Sequence, residues 1–183
     1  EALLHREGIY DVRVEYVAGN LTDHYDPRSK VLRLSDATYQ QTSVAAIGVA
    51  AHECGHAIQH ARGYAPLSIR SALVPVANFG SSIAWPLIII GLIMNSQTSQ
   101  LFLNLGVIAF SMAVLFQIVT LPVEFNASRR ALKILGNTGM LYPDEVRETR
   151  KVLTAAALTY VAGAASAILQ LLRLIMISNS RRD

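Results

Sequence analysis

The sequence predicts a mainly α-helical fold: membrane helices adjoin a small α+β region with a short β hairpin and a helix bearing an HExxH pattern. Three observations predict it. No Asp, Glu, Lys or Arg occurs at residues 71–123. Apolar and polar residues alternate near the N-terminus, with Val12, Val14 and Tyr16 on one side of the chain. A helical stretch at 44–61 carries the HExxH. Composition agrees: 52% of the 183 residues are hydrophobic and only 16% are charged, whereas a soluble domain carries about 25% charged residues. That length excludes a large multidomain enzyme, and the apolar fraction excludes a disordered chain. Cys54 is the single cysteine, so no intramolecular disulfide forms.

Residues Glu1–Arg6 read as the tail of a helix stopped at Gly8. The chain starts at Glu1 rather than a methionine, and the expectation is that a natural N-terminal segment precedes it. The alternation at 12–17 marks a half-buried strand, and Val31-Leu32-Arg33-Leu34 is a second short one. Gly19-Asn20 and Asp26-Pro27 supply turns between them, giving a small hairpin or mixed sheet. Ser43 is placed to cap a helix from Val44 to Ala61, ended by Gly63 and Pro66, and this completes the 1–70 region.

Next come two apolar stretches, 72–94 and 101–121, separated by the uncharged polar linker 95–100. Each is long enough to cross the hydrocarbon core of a bilayer, about 30 Å at 1.5 Å per residue, and neither has the polar face a soluble helix would need. Residues 71–122 therefore read as a transmembrane hairpin. Pro75, Pro86 and Gly91 are tolerable there, and Trp85, at mid-span, is expected to pack on a partner helix. Residues 123–151 read as a helix and a following loop. A third apolar run, 152–177, reads as a span or an interfacial helix. Its Gly163, Ala164, Ala165 and Ser166 would permit close helix approach. Arg173 requires either that this helix end near 172 or that its side chain snorkel to the interface. A basic tail, 178–183, follows.

The chemical signal is His52-Glu53-Cys54-Gly55-His56. At i and i+4 the two imidazoles share one helix face, a turn apart, where they can chelate one zinc ion. Glu53 lies about 100° round the helix, placed to reach the metal's water without binding the metal. The preceding run 44–51 is apolar, so unpaired histidines and a carboxylate in this helix would be costly. Cys54 faces away from the histidines and reads as small packing volume.

A catalytic zinc site normally has three protein ligands. Glycine at 59 and histidine at 62 would supply the third by one known pattern, but Gln59 and Arg62 stand there. His60 continues the same face and reads better as a supporting or merely satisfied histidine. Glu124 is the first carboxylate after Glu53 and directly follows the second apolar stretch. Two crossings return the chain to the face it left, which makes Glu124 the candidate third ligand; pairing with Arg129 or Arg130 is the plainer alternative.

These residues carry a resemblance to a known family. The chain resembles the YugP-like neutral zinc metallopeptidases of bacterial membranes through Leu21–Pro27, Arg33-Leu34-Ser35, Ala50–Gln59 and Pro122–Ser128. The resemblance implies a membrane helix before Glu1. A looser similarity links it to HtpX-like and CAAX-prenyl membrane proteases, whose third ligand is the Glu of an E-x-x-A-D pattern. Here that pattern reads Glu124-Phe125-Asn126-Ala127-Ser128, so serine replaces the aspartate that would orient a zinc-bound histidine. Asn126, Ser128 or an acid elsewhere is left to do that work.

The expected activity is zinc-assisted hydrolysis of a peptide or protein substrate, with His52, His56 and Glu124 holding one Zn2+ and Glu53 as general base. His24, Tyr25 and Arg129 are candidates to stabilise the oxyanion; Asp23, His24 and Asp26 read equally well as turn residues before Pro27. Strand 31–34 is expected to hold substrate by edge pairing. Two other readings are a non-catalytic zinc-binding membrane scaffold and a site-2-type intramembrane protease. Arg62, Arg70, Arg129, Arg130 and Lys133 flank the apolar pair, which the positive-inside rule turns into a multi-pass cell-membrane protein with a cytoplasmic catalytic face. The tail Arg181-Arg182 argues against that orientation if 152–177 crosses. The same basic flanks meet anionic lipid rather than nucleic acid. Oligomeric state is not legible.

Overall fold

The computed structural model describes residues 1–94 and 98–180. Its order is α1 (Ala2–Arg6), β1 (Arg13–Tyr16), β2 (His24–Asp26), β3 (Val31–Leu34), α2 (Val44–Ala61), α3 (Ala65–Ile93), α4 (Ser99–Thr138) and α5 (Pro143–Ser180). The protein is mainly α, with a small α+β region. The chain divides into two compact units: Glu1–Ser68 with Pro122–Leu158, and Ile69–Leu121 with Thr159–Asp183. The linker residues 95–97 and the tail residues Arg181 and Arg182 lie outside the described residues.

In the first unit the sheet has the order β1-β3-β2, with β1 parallel and β2 antiparallel to β3. The hairpin is thus β2–β3, while the strand read at 12–17 joins from the other side. Asp26 builds the hairpin's turn: its carboxylate accepts from the Arg28 amide at 3.0 Å and the Ser29 hydroxyl at 2.6 Å. β3 is the central strand, with both edges paired. That overturns the expectation that 31–34 holds substrate by edge pairing, because its backbone groups are already spent on its neighbours.

α2 begins and ends where its sequence dictates. The Ser43 side chain accepts from the Ala46 amide, Arg62 closes the helix, and Gly63 follows with φ +62°. Its apolar face joins α1, the sheet and the 131–153 segments in one core around Leu4, Leu32, Ile58, Leu135 and Leu153. Cys54 is buried in this core, and burial pushes its thiol up to about 12, which makes it an inert packing group.

Two backbone approaches draw the helices of this unit together. A Cβ at Gly55 would lie 2.5 Å from the Ala127 carbonyl oxygen, so glycine is required for α2 to lie against α4 there. A Cβ at Gly48 would lie 2.8 Å from Cγ2 of Thr149, which sets α5 against α2.

The second unit is built from apolar helix. Three helices, α3, α4 and α5, are long and apolar enough to cross a membrane, and less than a third of each apolar window is buried within the protein. Ile93, Phe79 and Leu169 are each about two-thirds exposed or more. Such surface suits a membrane environment. Helix approach follows small residues: a Cβ at Gly80 would sit 2.5 Å from the Ala109 carbonyl oxygen, and one at Gly106 2.6 Å from Ile88. Trp85 meets Phe110 edge to face at 6.4 Å between ring centres, against a neighbouring helix as its mid-span position suggests. Polar side chains also meet here: Gln100 donates to Asn104 and Ser178, each at 2.9 Å. α5 continues past Arg173 to Ser180, which removes the alternative of a helix ending near 172.

Candidate metal centre

α2 presents His52, Glu53 and His56 to one point; their ligand atoms lie within 4.8 Å of one another. The two imidazoles meet edge to face, 4.8 Å between ring centres. Glu124 arrives from α4, with Oε2 3.1 Å from Nε2 of His52 and 3.6 Å from Nε2 of His56. Glu53, His56 and Glu124 are buried, and His52 is nearly so. The Gly55–Ala127 approach is what allows the convergence, since it seats the HExxH turn against the turn of α4 that follows Glu124.

The hydrogen bonds decide how His56 is protonated. Gln59 is fully buried one turn beyond His56. Its amide nitrogen donates to the Val123 carbonyl at 2.8 Å and to Oδ1 of Asn126 at 3.0 Å. A backbone carbonyl can only accept, so the amide is fixed with its oxygen toward His56, 3.0 Å from Nδ1. Nδ1 of His56 therefore donates, and in the neutral ring Nε2 carries a bare lone pair facing the Glu124 carboxylate oxygen. Two acceptors 3.6 Å apart in a buried site are well placed to share a cation, either a metal ion or a proton.

The spacing suits a metal. Two ligands at about 2.05 Å from a tetrahedral zinc lie about 3.4 Å apart, and the observed 3.1 and 3.6 Å bracket that value. Two imidazoles and a carboxylate are also the donor types zinc takes. Without a metal a proton serves instead: burial opposes a charged His56, but the Glu124 carboxylate overrides it and holds the imidazole above its usual range. Burial raises the Glu53 carboxyl, against the pull of His56 and His52. A raised carboxyl beside this cluster can exchange protons nearer neutral pH.

The remaining residues singled out from the sequence separate into groups. The Ser128 hydroxyl lies 3.1 Å from Nδ1 of His52, in the position the absent aspartate would serve. Asn126 makes no hydrogen bond to an imidazole among the described residues; it accepts from Gln59 and, at 2.7 Å, from Nε of Arg130. His60 is exposed and bound 2.9 Å from the Tyr25 hydroxyl, with burial pushing that phenol up to about 12. Exposed His24 is held by the Thr22 carbonyl at 2.7 Å and lies 3.4 Å from Arg33. Arg129 lines a groove between α4 and α5. Asp23 accepts from the Ser35 amide and hydroxyl, and Asp26 from its turn. Sequence reasoning missed Gln59. A long amide on the apolar side of an otherwise well-packed helix was the available signal, since a buried amide must find partners.

The family model described as "Putative neutral zinc metallopeptidase" matches residues 1–179. The chain belongs to that family. It is also 48% identical over 181 residues to a Bacillus subtilis protein described as "Putative membrane protease YugP", covering 99% of this chain and 79% of that one. No solved structure matches. Membership in a zinc metallopeptidase family agrees with the cluster of His52, Glu53 and His56, and the relative's description agrees with membrane association through the three apolar helices.

Proposed function

We propose that this protein is a cell-membrane zinc endopeptidase of the HExxH…E type, with one Zn2+ held by His52, His56 and Glu124. The observation that supports the reading is the convergence of His52, His56 and Glu124, with Gln59 turning Nε2 of His56 toward Oε2 of Glu124 so that the two can share a metal ion.

Zinc, when bound, supplies Lewis acidity that lowers the pKa of coordinated water and polarises a carbonyl. The protein's own residues do the rest. Glu53, on the same helix turn and outside the ligand set, takes the proton of the attacking water and passes it to the leaving amine. Gln59 fixes the His56 tautomer, and Ser128 steadies His52 from its Nδ1 side. None of His24, Tyr25 or Arg129 has a hydrogen bond or ion pair to the cluster among the described residues, so the choice of oxyanion partner among them rests with the bound substrate. The HExxH helix is not among the three apolar helices, which favours hydrolysis outside the spans over site-2-type cleavage within one. Arg62, Arg70, Arg129, Arg130 and Lys133 flank the first two spans and favour a cytoplasmic site.

The test is Glu53→Gln assayed on a broad peptide library alongside its zinc content. The variant should keep its zinc and lose hydrolysis by about 100- to 10,000-fold. Zinc retained in a wild type that cleaves nothing would favour the scaffold reading instead.

A further inference from the structure

Within the first unit, a groove of about 600 Å³ runs between α4 and α5. Three cations, Arg129, Lys133 and Arg150, line it, and no carboxylate does. None of the three takes part in an ion pair among the described residues. Several other cations of this unit are matched, such as Arg147 with Asp144 and Lys151 with Glu148. The groove is a concentration of unmatched positive charge.

Its polarity is ordered along its length. The apolar segment of α4 ends near Leu121 and that of α5 begins near Val152. Moving away from the apolar segment along α4, the groove meets Phe125, then Arg129, then Lys133; moving into it along α5, the groove meets Arg150, then Leu153, then Ala157. Cations therefore gather at the end remote from the apolar segments, and Phe125, Leu153 and Ala157 at the end next to them. An anionic headgroup joined to a hydrocarbon chain has that same order.

We propose that this groove is a binding site for one anionic phospholipid of the surrounding bilayer, its phosphate held by Arg129, Lys133 and Arg150 and its chain lying along Phe125, Leu153 and Ala157. Arginine pairs bidentately with phosphate, and juxtamembrane basic clusters draw anionic lipid. Ser128 also lines the groove while its hydroxyl faces His52, so the bound lipid abuts a partner of the HExxH site. The lipid site does not depend on zinc chemistry.

The test reconstitutes the full chain in nanodiscs of phosphatidylcholine with increasing phosphatidylglycerol, then measures retained lipid by native mass spectrometry and thermal stability in parallel. Wild type should retain one phosphatidylglycerol with a preference of at least about tenfold over phosphatidylcholine, and its Tm should rise with the phosphatidylglycerol fraction. The Arg129→Ala/Lys133→Ala/Arg150→Ala variant should lose both effects. A variant with the same charge removed elsewhere (Arg28→Ala/Arg147→Ala/Lys151→Ala) should keep them, which separates a site from diffuse attraction. The proposal is overturned if both triple variants behave alike, if wild type shows no preference, if inorganic phosphate alone raises Tm as much as phosphatidylglycerol does, or if acidic peptides displace the lipid at micromolar concentration.

Discussion

The two units solve opposite packing problems. In the unit holding the HExxH helix, buried polar side chains are numerous and paired into one network: Glu124 to His52 and His56, His56 to Gln59, Gln59 to Val123 and Asn126, and His52 to Ser128. In the apolar unit, helices meet through glycine and large apolar side chains, and the polar contacts between helices include a small cluster around Gln100, Asn104 and Ser178 and the Ser99 hydroxyl on the Gly91 carbonyl. Yet both units use the same device at their tightest point, a glycine at which an added Cβ would fall 2.5 Å from a carbonyl oxygen of the neighbouring helix. The same steric rule shapes the proposed metal site in one and only a helix pair in the other.

Substituting those glycines separates the two uses and gives the largest expected effects. Gly55→Ala should destabilise the protein by about 3 kcal/mol, because the neighbour it strikes is backbone and cannot swing aside. It should also strip zinc from the folded fraction. Gly80→Ala should lower Tm comparably while zinc per folded molecule, by metal analysis of the folded peak, stays at the wild-type level. Equal zinc loss in both would erase the distinction.

Gln59→Leu comes next. It leaves the Val123 carbonyl and Nδ1 of His56 without their buried partner, and zinc affinity should fall by about 10- to 100-fold, read by competition with a chromophoric chelator. Gln59→Glu keeps an acceptor toward His56 and should recover part of that loss. The smallest effect belongs to Ser128→Ala: a hydroxyl orients His52 less strongly than a carboxylate would, so affinity should drop by less than about tenfold. Ser128→Asp should tighten binding.

What was legible in the sequence follows the reach of each signal. The HExxH helix could be bounded because Ser43 and Gly63 are local cues, and its two imidazoles needed only helical geometry. Glu124 could be singled out because 53 uncharged residues (71–123) left it as the next carboxylate after Glu53. The pairing of β1 with β3 was not legible: parallel pairing is nonlocal, and no turn residue announces it. β2 has only three residues, too few for alternation to register. Gln59 stayed hidden because an amide reads the same on a wet face as in a buried network, and its partners lie 64 and 67 residues away. β3 looked available for substrate only because its second neighbour was unseen.

The central claim is that two imidazoles of α2 and one carboxylate of α4 share a single cation, and metal content measures it directly. Purified wild-type protein should carry one zinc per chain by elemental analysis, and Glu124→Ala, folded by its retained thermal transition, should carry little or none. Full zinc occupancy in Glu124→Ala, or a well-folded wild type that takes up no divalent metal, would contradict the account.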